Sequence, residues 1–459
     1  MKIGGKLMTL ETIILAAGKG TRMKSDIPKV LHKVGGKPML QHVIDAAKKA
    51  GSSREVVVIG SGAELVMQTI SDVEFVMQEE QLGTGHAVLS AEKNFEQSEG
   101  TVLILCGDTP LLTGELLQKF TAAHESSKCA ATVLTAEMPD STGYGRVIRE
   151  TDGTFKKIVE EKDATEFEKK IREVNAGVYC FDVKKLFGAL AKVKNDNAQG
   201  EYYLPDTLTI LKEAGETVGV FTADYADETL GINSRVQLAA ADRVFRMKKN
   251  HELMDAGVTI IDPNTTFIDC DVQIGQDTII HPNTYIEGNT TIGRECDIGP
   301  DIRFTDMKVG NKVKAQFSYC HEAEICDGVT LGPYVHIRPG TTIGTDVKIG
   351  NFVEIKNSNI GKGSKLPHLQ YIGDTDMGSN VNIGCGTVTC NYDGKNKFRT
   401  KIGDNAFIGC NTNLVAPVSV GDGAYIGAGS TITKDVPKNN LAVARARQTN
   451  IEVWKDKRK

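Results

Sequence analysis

No apolar run in the 459 residues approaches the roughly 20 needed to span a bilayer, so no membrane-spanning segment is expected. The opening decapeptide MKIGGKLMTL lacks the apolar core of roughly 7–15 residues that marks a secretion signal. It reads as a short extension, with Met8 a candidate alternative start. Cysteine is sparse, ten residues with no CxxC pair, which excludes a disulfide scaffold and predicts reduced thiols in a cytoplasm. The His and Cys spacings match no zinc pattern. Basic blocks are missing too, apart from the tail Lys455–Lys459. With 54 Lys and Arg against 59 Asp and Glu the net charge is −5, and no nucleic-acid partner is expected. What remains is an ordinary globular composition, 40% apolar and 25% charged, long enough for about two to four domains.

Glycine is plentiful, with 47 residues, and the second half shows why. Aliphatic residues recur every sixth position in three runs: Ile268 to Ile298, Ile325 to Ile355, and Ile402 to Ile432. A helix would repeat near 3.6 residues and a simple strand near 2, so neither fits. A hexapeptide period fits a parallel β-helix, with the aliphatic residue inward and a glycine turn after it, as at Gly275, Gly344 and Gly409. The rhythm slips at about 300–324, 355–360, 372–377 and 384–401. Interruptions of a solenoid are where function is usually placed.

The first half alternates apolar runs at 11–15, 54–59, 74–77 and 101–105 with helical stretches such as 38–50, opened by Pro38 and closed by Gly51. That pattern predicts a doubly wound α/β domain over 1–231 with a mostly parallel sheet. Residues 232–257 read as a helical spacer, and 258–459 as the β-helix with its tail.

After the first strand stands Leu15-Ala16-Ala17-Gly18-Lys19-Gly20-Thr21-Arg22, followed by Lys29. Small residues there let backbone N–H groups approach a phosphate, and Lys and Arg add charge. Walker A spacing is absent, as is the third glycine of a dinucleotide fingerprint. Asp108, in Cys106-Gly107-Asp108 after the strand at 101–105, is a candidate Mg²⁺ ligand, with an N-cap for the segment after Pro110 as the lesser alternative. In the second half Arg338, Lys356, His368, Tyr371, Asn382, Asn391 and Tyr392 all lie where the hexad rhythm is disturbed. His368 has the titration range to deprotonate an ammonium near neutral pH.

These motifs, with Gln78, Gln81–Ala87, Gly143–Arg146, Glu160–Asp163, Asn175–Gly177 and Asn233, resemble bacterial bifunctional N-acetylglucosamine-1-phosphate uridyltransferase/glucosamine-1-phosphate acetyltransferases over essentially the whole chain after residue 9. The resemblance implies a Rossmann-like nucleotidyltransferase domain followed by a left-handed β-helix. It implies that Leu15, Ala16, Ala17, Gly18, Gln78, Gly83 and Thr84 line a uracil and ribose pocket, with Gly107 and Asp108 beside it. Arg22 and Lys29 would hold phosphates, Gly145, Glu160 and Asn175 the sugar, and Asp108 with Asn233 the Mg²⁺. His86 would be structural. In the β-helix His368 would be the general base, and Arg338 and Lys356 would clamp the sugar phosphate. Tyr371, Asn382, Asn391 and Tyr392 would complete the pocket. The N–H of Cys385 would stabilise an oxyanion, and acetyl-CoA would lie along Cys385, Asn391, Tyr392, Cys410, Ala428 and Arg445. Cys385 departs from the usual Ala and Cys410 from the usual Ser; a backbone donor survives the first change, whereas the second weakens a hydrogen-bonding group. Neither thiol has a His or Asp motif to make it a nucleophile. The substrates implied are UTP, glucosamine-1-phosphate and acetyl-CoA, and the family forms homotrimers.

Two other readings compete. One is a single-activity sugar-1-phosphate nucleotidyltransferase with a structural or regulatory β-helix, which would have no need of His368, Tyr371, Asn391 and Tyr392. The other is a non-enzymatic trimeric scaffold, which leaves the loop from Gly18 to Lys29 and Asp108 unexplained.

Overall fold

The computed structural model describes residues 9–451; Met8 and the basic tail Lys455–Lys459 lie outside the described residues. Contacts divide the chain into two units, one ending at Phe245 and the other starting at Arg246. No described helix is long and apolar enough to cross a membrane.

The first unit is a sheet between two layers of helices. Its main strands are β1 (Thr9–Leu15), β2 (Glu55–Ile59), β3 (Glu74–Met77), β4 (Gly100–Cys106), β5 (Ala131–Glu137), β6 (Glu173–Asp182) and β7 (Val218–Thr222), in the order β7-β5-β6-β4-β1-β2-β3. Ile13, Val57, Leu103 and Ile104 are fully buried, as a sheet covered on both faces requires. Helices α1 (Met39–Lys49), α2 (Ala63–Thr69) and α4 (Gly114–Ser127) cover one face; α3 (Thr84–Ser90), α5 (Val183–Leu190) and α6 (Asp206–Glu213) cover the other. Pro38 caps α1, and Gly51 follows its end with φ 96°. Among these seven strands pairing is parallel except that β6 runs antiparallel to both β4 and β5, and the edge strands Arg146–Arg149 and Phe155–Val159 add further antiparallel pairs. From β1 the chain moves outward through β2 and β3, then returns to place β4 on the other side of β1. That reversal makes the carboxyl ends of β1 and β4 the place where a crevice opens.

The second unit is a parallel β-helix of triangular coils. Two faces form one continuous sheet of 19 strands and the third a sheet of nine. The aliphatic hexads point inward: Ile286, Ile298, Ile337, Ile343, Ile355, Ile408 and Ile426 are fully buried. The glycine after the aliphatic residue leads into the turn, as expected, but in most coils it does not itself have left-handed φ. Left-handed φ at the corners falls on Asn and Asp, such as Asp346 at 60° and Asn411 at 53°, and on glycines elsewhere in the coil, such as Gly386 at 75°. Gly344 also supplies clearance: a Cβ there would lie 2.7 Å from the Ile360 carbonyl oxygen of the next coil.

The expected spacer is α7 (Arg235–Asp255), shorter than read from the sequence. It is not bare. Ala241 and Phe245 join an apolar cluster with Val34 and Met39. Leu253 enters the β-helix core, and Lys249 Nζ donates to the carbonyls of Cys270 and Val272 at 2.9 Å.

His124 of α4 is 4% exposed, its Nδ1 2.8 Å from Thr132 Oγ1, and burial pushes its pKa down to about 4. The neutral ring is favoured in the folded state, so this stabilisation is complete above about pH 6.5 and is lost as the pH falls towards 4. His124→Gln should therefore narrow the gap between thermal midpoints measured at pH 7.5 and pH 5.

Candidate active sites

The glycine-rich loop leaves β1 at the crevice because Ala16 and Gly107, after β1 and β4, are drawn into the same sheet edge: Ala16 N–H donates to Val58 O at 2.8 Å and Gly107 N–H to Leu15 O at 2.9 Å. A cavity of about 510 Å³ opens there, lined by Leu15, Ala16, Ala17, Gly18, Lys29, Gln78, Gly83, Thr84 and Asp108, all expected. Gln78 is 3% exposed; its Nε2 lies 3.3 Å from Gly83 O and 3.1 Å from His86 Nδ1, so His86 acts as a structural acceptor. Lys29 Nζ donates to the Asp108 carboxylate and, at 3.0 Å, to Asn233 Oδ1. Asn233 is held there because Ile232 N–H donates to Asp108 O at 2.9 Å. Two side-chain oxygens thus converge on the Lys29 ammonium.

Gly145, Glu160 and Asn175 stand together outside that lining. Asn175 N–H donates to Gly145 O at 2.9 Å, and the missing Cβ of Gly145 makes room for Glu160 Oε1. Burial, then Asp163 and Asp206, push the Glu160 carboxyl above its ordinary range. Arg22 is exposed on the turn Thr21–Met23 and does not line the cavity. Glu201 does line it, unforeseen, because Tyr202 N–H donates to Leu82 O and Gly85 N–H to Tyr202 O, both at 2.8 Å. No local motif marks Glu201; only this long-range pairing brings it in.

In the β-helix, register sorts the expected residues into columns. The pairs Lys365 with Asn382, Ile383 with Ile408, and Ile408 with Ile426 set His368, Cys385, Cys410 and Ala428 one above another at the corner after the first face. Cys385 is half-buried; the other three are exposed. Arg445 Nη1 donates to Ala428 O at 2.8 Å, joining the column's lower end. The Cys385 N–H has no acceptor among the described residues. On the second face Arg338 N–H donates to Ile355 O at 2.9 Å, stacking Arg338 beside Lys356, which pairs in register with Gly373. Arg338 Nη1 donates to Glu354 Oε1 at 2.8 Å. Contact with the Lys397 side chain, followed by burial, lowers the Lys356 pKa. Gly373 is bare where Tyr371 Oη and Asn391 Nδ2 come together, 3.5 Å apart. Asn382 sits on the first face, away from Tyr371 on the second. Tyr392, 59% exposed, opens the loop that interrupts the rhythm, bridging in antiparallel fashion to Lys397.

Fold and sites together define a two-part transferase, a nucleotide-binding α/β unit joined to a left-handed β-helix of the hexapeptide-repeat transferases. Residues 12–204 match the MobA-like NTP transferase domain, and 271–301, 322–357 and 399–434 match the bacterial transferase hexapeptide (six repeats). Over 447 residues the chain is 54% identical to the bifunctional protein GlmU of Halalkalibacterium halodurans, covering 97% of this chain and 98% of that protein. It is 53% identical over 448 residues to that of Clostridium beijerinckii, with the same coverage of each chain. The Syntrophomonas wolfei protein is 51% identical over 446 residues, covering 97% of this chain and 99% of its own. The chain belongs to the bifunctional GlmU family.

Gly83 tests the nucleotide cavity directly. Its φ is 111°, and a Cβ would lie 2.6 Å from Tyr202 O and 2.8 Å from Tyr202 N. Gly83→Ala should cost about 1–3 kcal/mol of strain at this loop, read as a lower thermal midpoint and weaker UTP binding by calorimetry.

Proposed function

We propose that the β-helix transfers acetyl from acetyl-CoA to glucosamine-1-phosphate, and that the α/β unit then joins the product to UTP, releasing pyrophosphate and UDP-N-acetylglucosamine. The observation that carries the two-activity reading is the column His368, Cys385, Cys410 and Ala428 beside the stacked cations Arg338 and Lys356. A structural or regulatory rod has no use for either.

In the first reaction His368 takes a proton from the sugar ammonium, and the freed amine attacks the thioester carbon. The adduct then expels the coenzyme A thiolate, which takes the proton from His368, while the new amide nitrogen loses its second proton to water. The Cys385 N–H, one coil away, donates to the oxyanion that forms. Arg338 and Lys356 grip the sugar phosphate, and Tyr371, Asn382, Asn391 and Tyr392 enclose the sugar and the acyl group. Acetyl-CoA lies along Cys410, Ala428 and Arg445. Because the corner is convex, one chain alone cannot enclose substrate there, and a neighbouring copy would close it. Tyr334, Phe352 and Leu369 share that corner at 57–59% exposure, an apolar edge suited to burial by such a copy. This supports a homotrimer as the working form.

In the second reaction the sugar phosphate attacks the α-phosphorus of UTP in line, and no general base is needed because phosphate is already a competent nucleophile. Alignment by the Leu15–Gly18 loop, Gln78 and Thr84 does most of the work, with Lys29 and Arg22 adding positive charge. Gly145, Glu160 and Asn175 hold the N-acetylglucosamine. Asp108 and Asn233 are hard oxygen donors already arranged around a cation, the Lys29 ammonium, and they fit Mg²⁺, which takes few protein ligands and keeps phosphate and water oxygens. Neutralisation of the triphosphate charge is what bound Mg²⁺ supplies. UTP and acetyl-CoA are intracellular metabolites, which supports a cytoplasmic location.

Product analysis after supplying glucosamine-1-phosphate, acetyl-CoA, UTP and Mg²⁺ to the purified chain tests the whole reading. His368→Ala should lower acetyl-transfer turnover about 10²–10⁴-fold, partly rescued at high pH where more substrate amine is already neutral, with uridyl transfer intact. A rise in KM with unchanged turnover would make His368 a binding residue instead. Asp108→Ala should abolish pyrophosphate release while acetyl transfer continues, and equal loss of both in the folded protein would contradict independent sites.

A further inference from the structure

The residues read as the acetyl-transfer site include no carboxylate, yet one lies behind them. Asp374 occupies a left-handed corner after the second face, with φ 49° and its side chain 7% exposed. Its Oδ2 accepts from Asn391 Nδ2, and its Oδ1 accepts from Asn357 Nδ2 at 2.5 Å. Lys356 Nζ lies 3.9 Å from Oδ2. The backbone of Asp374 joins the same parts: its N–H donates to Lys356 O at 2.9 Å, and its carbonyl accepts from Thr400 N at 3.0 Å, where the interrupting loop returns.

A buried carboxylate is expensive unless it is paired and hydrogen-bonded. Burial pushes this carboxyl up, but the amides of Asn357 and Asn391 and the ammoniums of Lys356 and Lys397 hold it below its ordinary range. Coil construction alone does not demand it. The corresponding corners at Asp306, Glu322 and Asn357 have the same left-handed φ, and all three are exposed. A turn residue is needed at 374; a buried anion is not.

We propose that Asp374 is a positioning residue for acetyl transfer, orienting the Asn391 carboxamide and anchoring the Lys356 ammonium. This rests on the acetyl-transfer reading of the β-helix. A carboxylate only accepts, so Asn391 must turn its NH₂ towards Asp374, and its Oδ1 is left to accept from a donor on the bound sugar. The same charge holds Lys356 beside Arg338, so that the two cations face one phosphate. Asp374 touches no substrate; it acts through two residues that do.

The test is steady-state acetyl transfer by the full chain, with uridyl transfer from UTP and N-acetylglucosamine-1-phosphate as an internal control. Asp374→Ala frees the Asn391 amide and should lower acetyl-transfer turnover about 10–100-fold, with uridyl transfer unchanged. In an Asn391→Ala background the same substitution should cost less than about threefold in turnover, because coupled positions are not additive. Asp374→Asn keeps the side chain's shape, removes the charge and turns one acceptor oxygen into an NH₂ that faces the Asn357 or the Asn391 amide. It should raise KM for glucosamine-1-phosphate at least about fivefold, through Lys356, and it serves where the alanine variant does not fold. Turnover within twofold for folded Asp374→Ala, losses that multiply with Asn391→Ala, or an unchanged KM for Asp374→Asn would each overturn the assignment. Absence of acetyl transfer in the unsubstituted chain would instead overturn the functional reading beneath it.

Discussion

Parallel backbone pairing in fixed register is the constraint on which both units depend. In the β-helix each residue lies over its counterpart one coil away, so a side chain at one corner position becomes part of a column. His368, Cys385, Cys410 and Ala428 are distant in sequence and adjacent for this reason alone. In the α/β unit the pairing of β1 with β2 on one side and β4 on the other brings the ends of separate segments together. The loop after β1 and the carboxylate after β4 then share one cavity.

Charge is placed differently in the two sites. In the first unit a single ammonium, Lys29, lies between the oxygens of Asp108 and Asn233 in a polar crevice. In the β-helix, two cations stand stacked on a flat face with carboxylates beside and behind them, Glu354 next to Arg338 and Asp374 under Lys356. A repeated coil offers a rigid surface with little depth, so the enclosure of a substrate has to come from the interrupting loop and from another surface. The insertions that break the hexad rhythm supply the first of these: Arg399 holds the loop base to Asp376 at 2.6 and 3.0 Å.

Much of this was legible in the residues, unevenly. The hexads predicted the β-helix because burial of one aliphatic residue per face is a local, periodic demand, and Ile337, Ile343 and Ile355 meet it. The clearance that the glycines also supply was not legible, because contact with the next coil is a property of two coils and not of one turn. The Gly18 loop was only a moderate signal by itself, because glycine-rich turns after a first strand are common in α/β folds, and the resemblance made it specific. Asn233 was indicated by resemblance alone. Arg22 lies on the exposed surface rather than in the cavity lining, a difference its place in the motif did not foretell.

The sequence by itself determined the two architectures and the order of the units, since periodicity and short motifs are written along the chain. Only the tertiary structure decided that Glu201 reaches the nucleotide cavity, that Lys29 lies between Asp108 and Asn233, and that Asp374 is buried beneath Asn391 and Lys356. The reason is common to all three. Each depends on a pairing between segments far apart in the chain, and the cost of burying a charge is set by which partners the fold delivers to it. No local spacing records that.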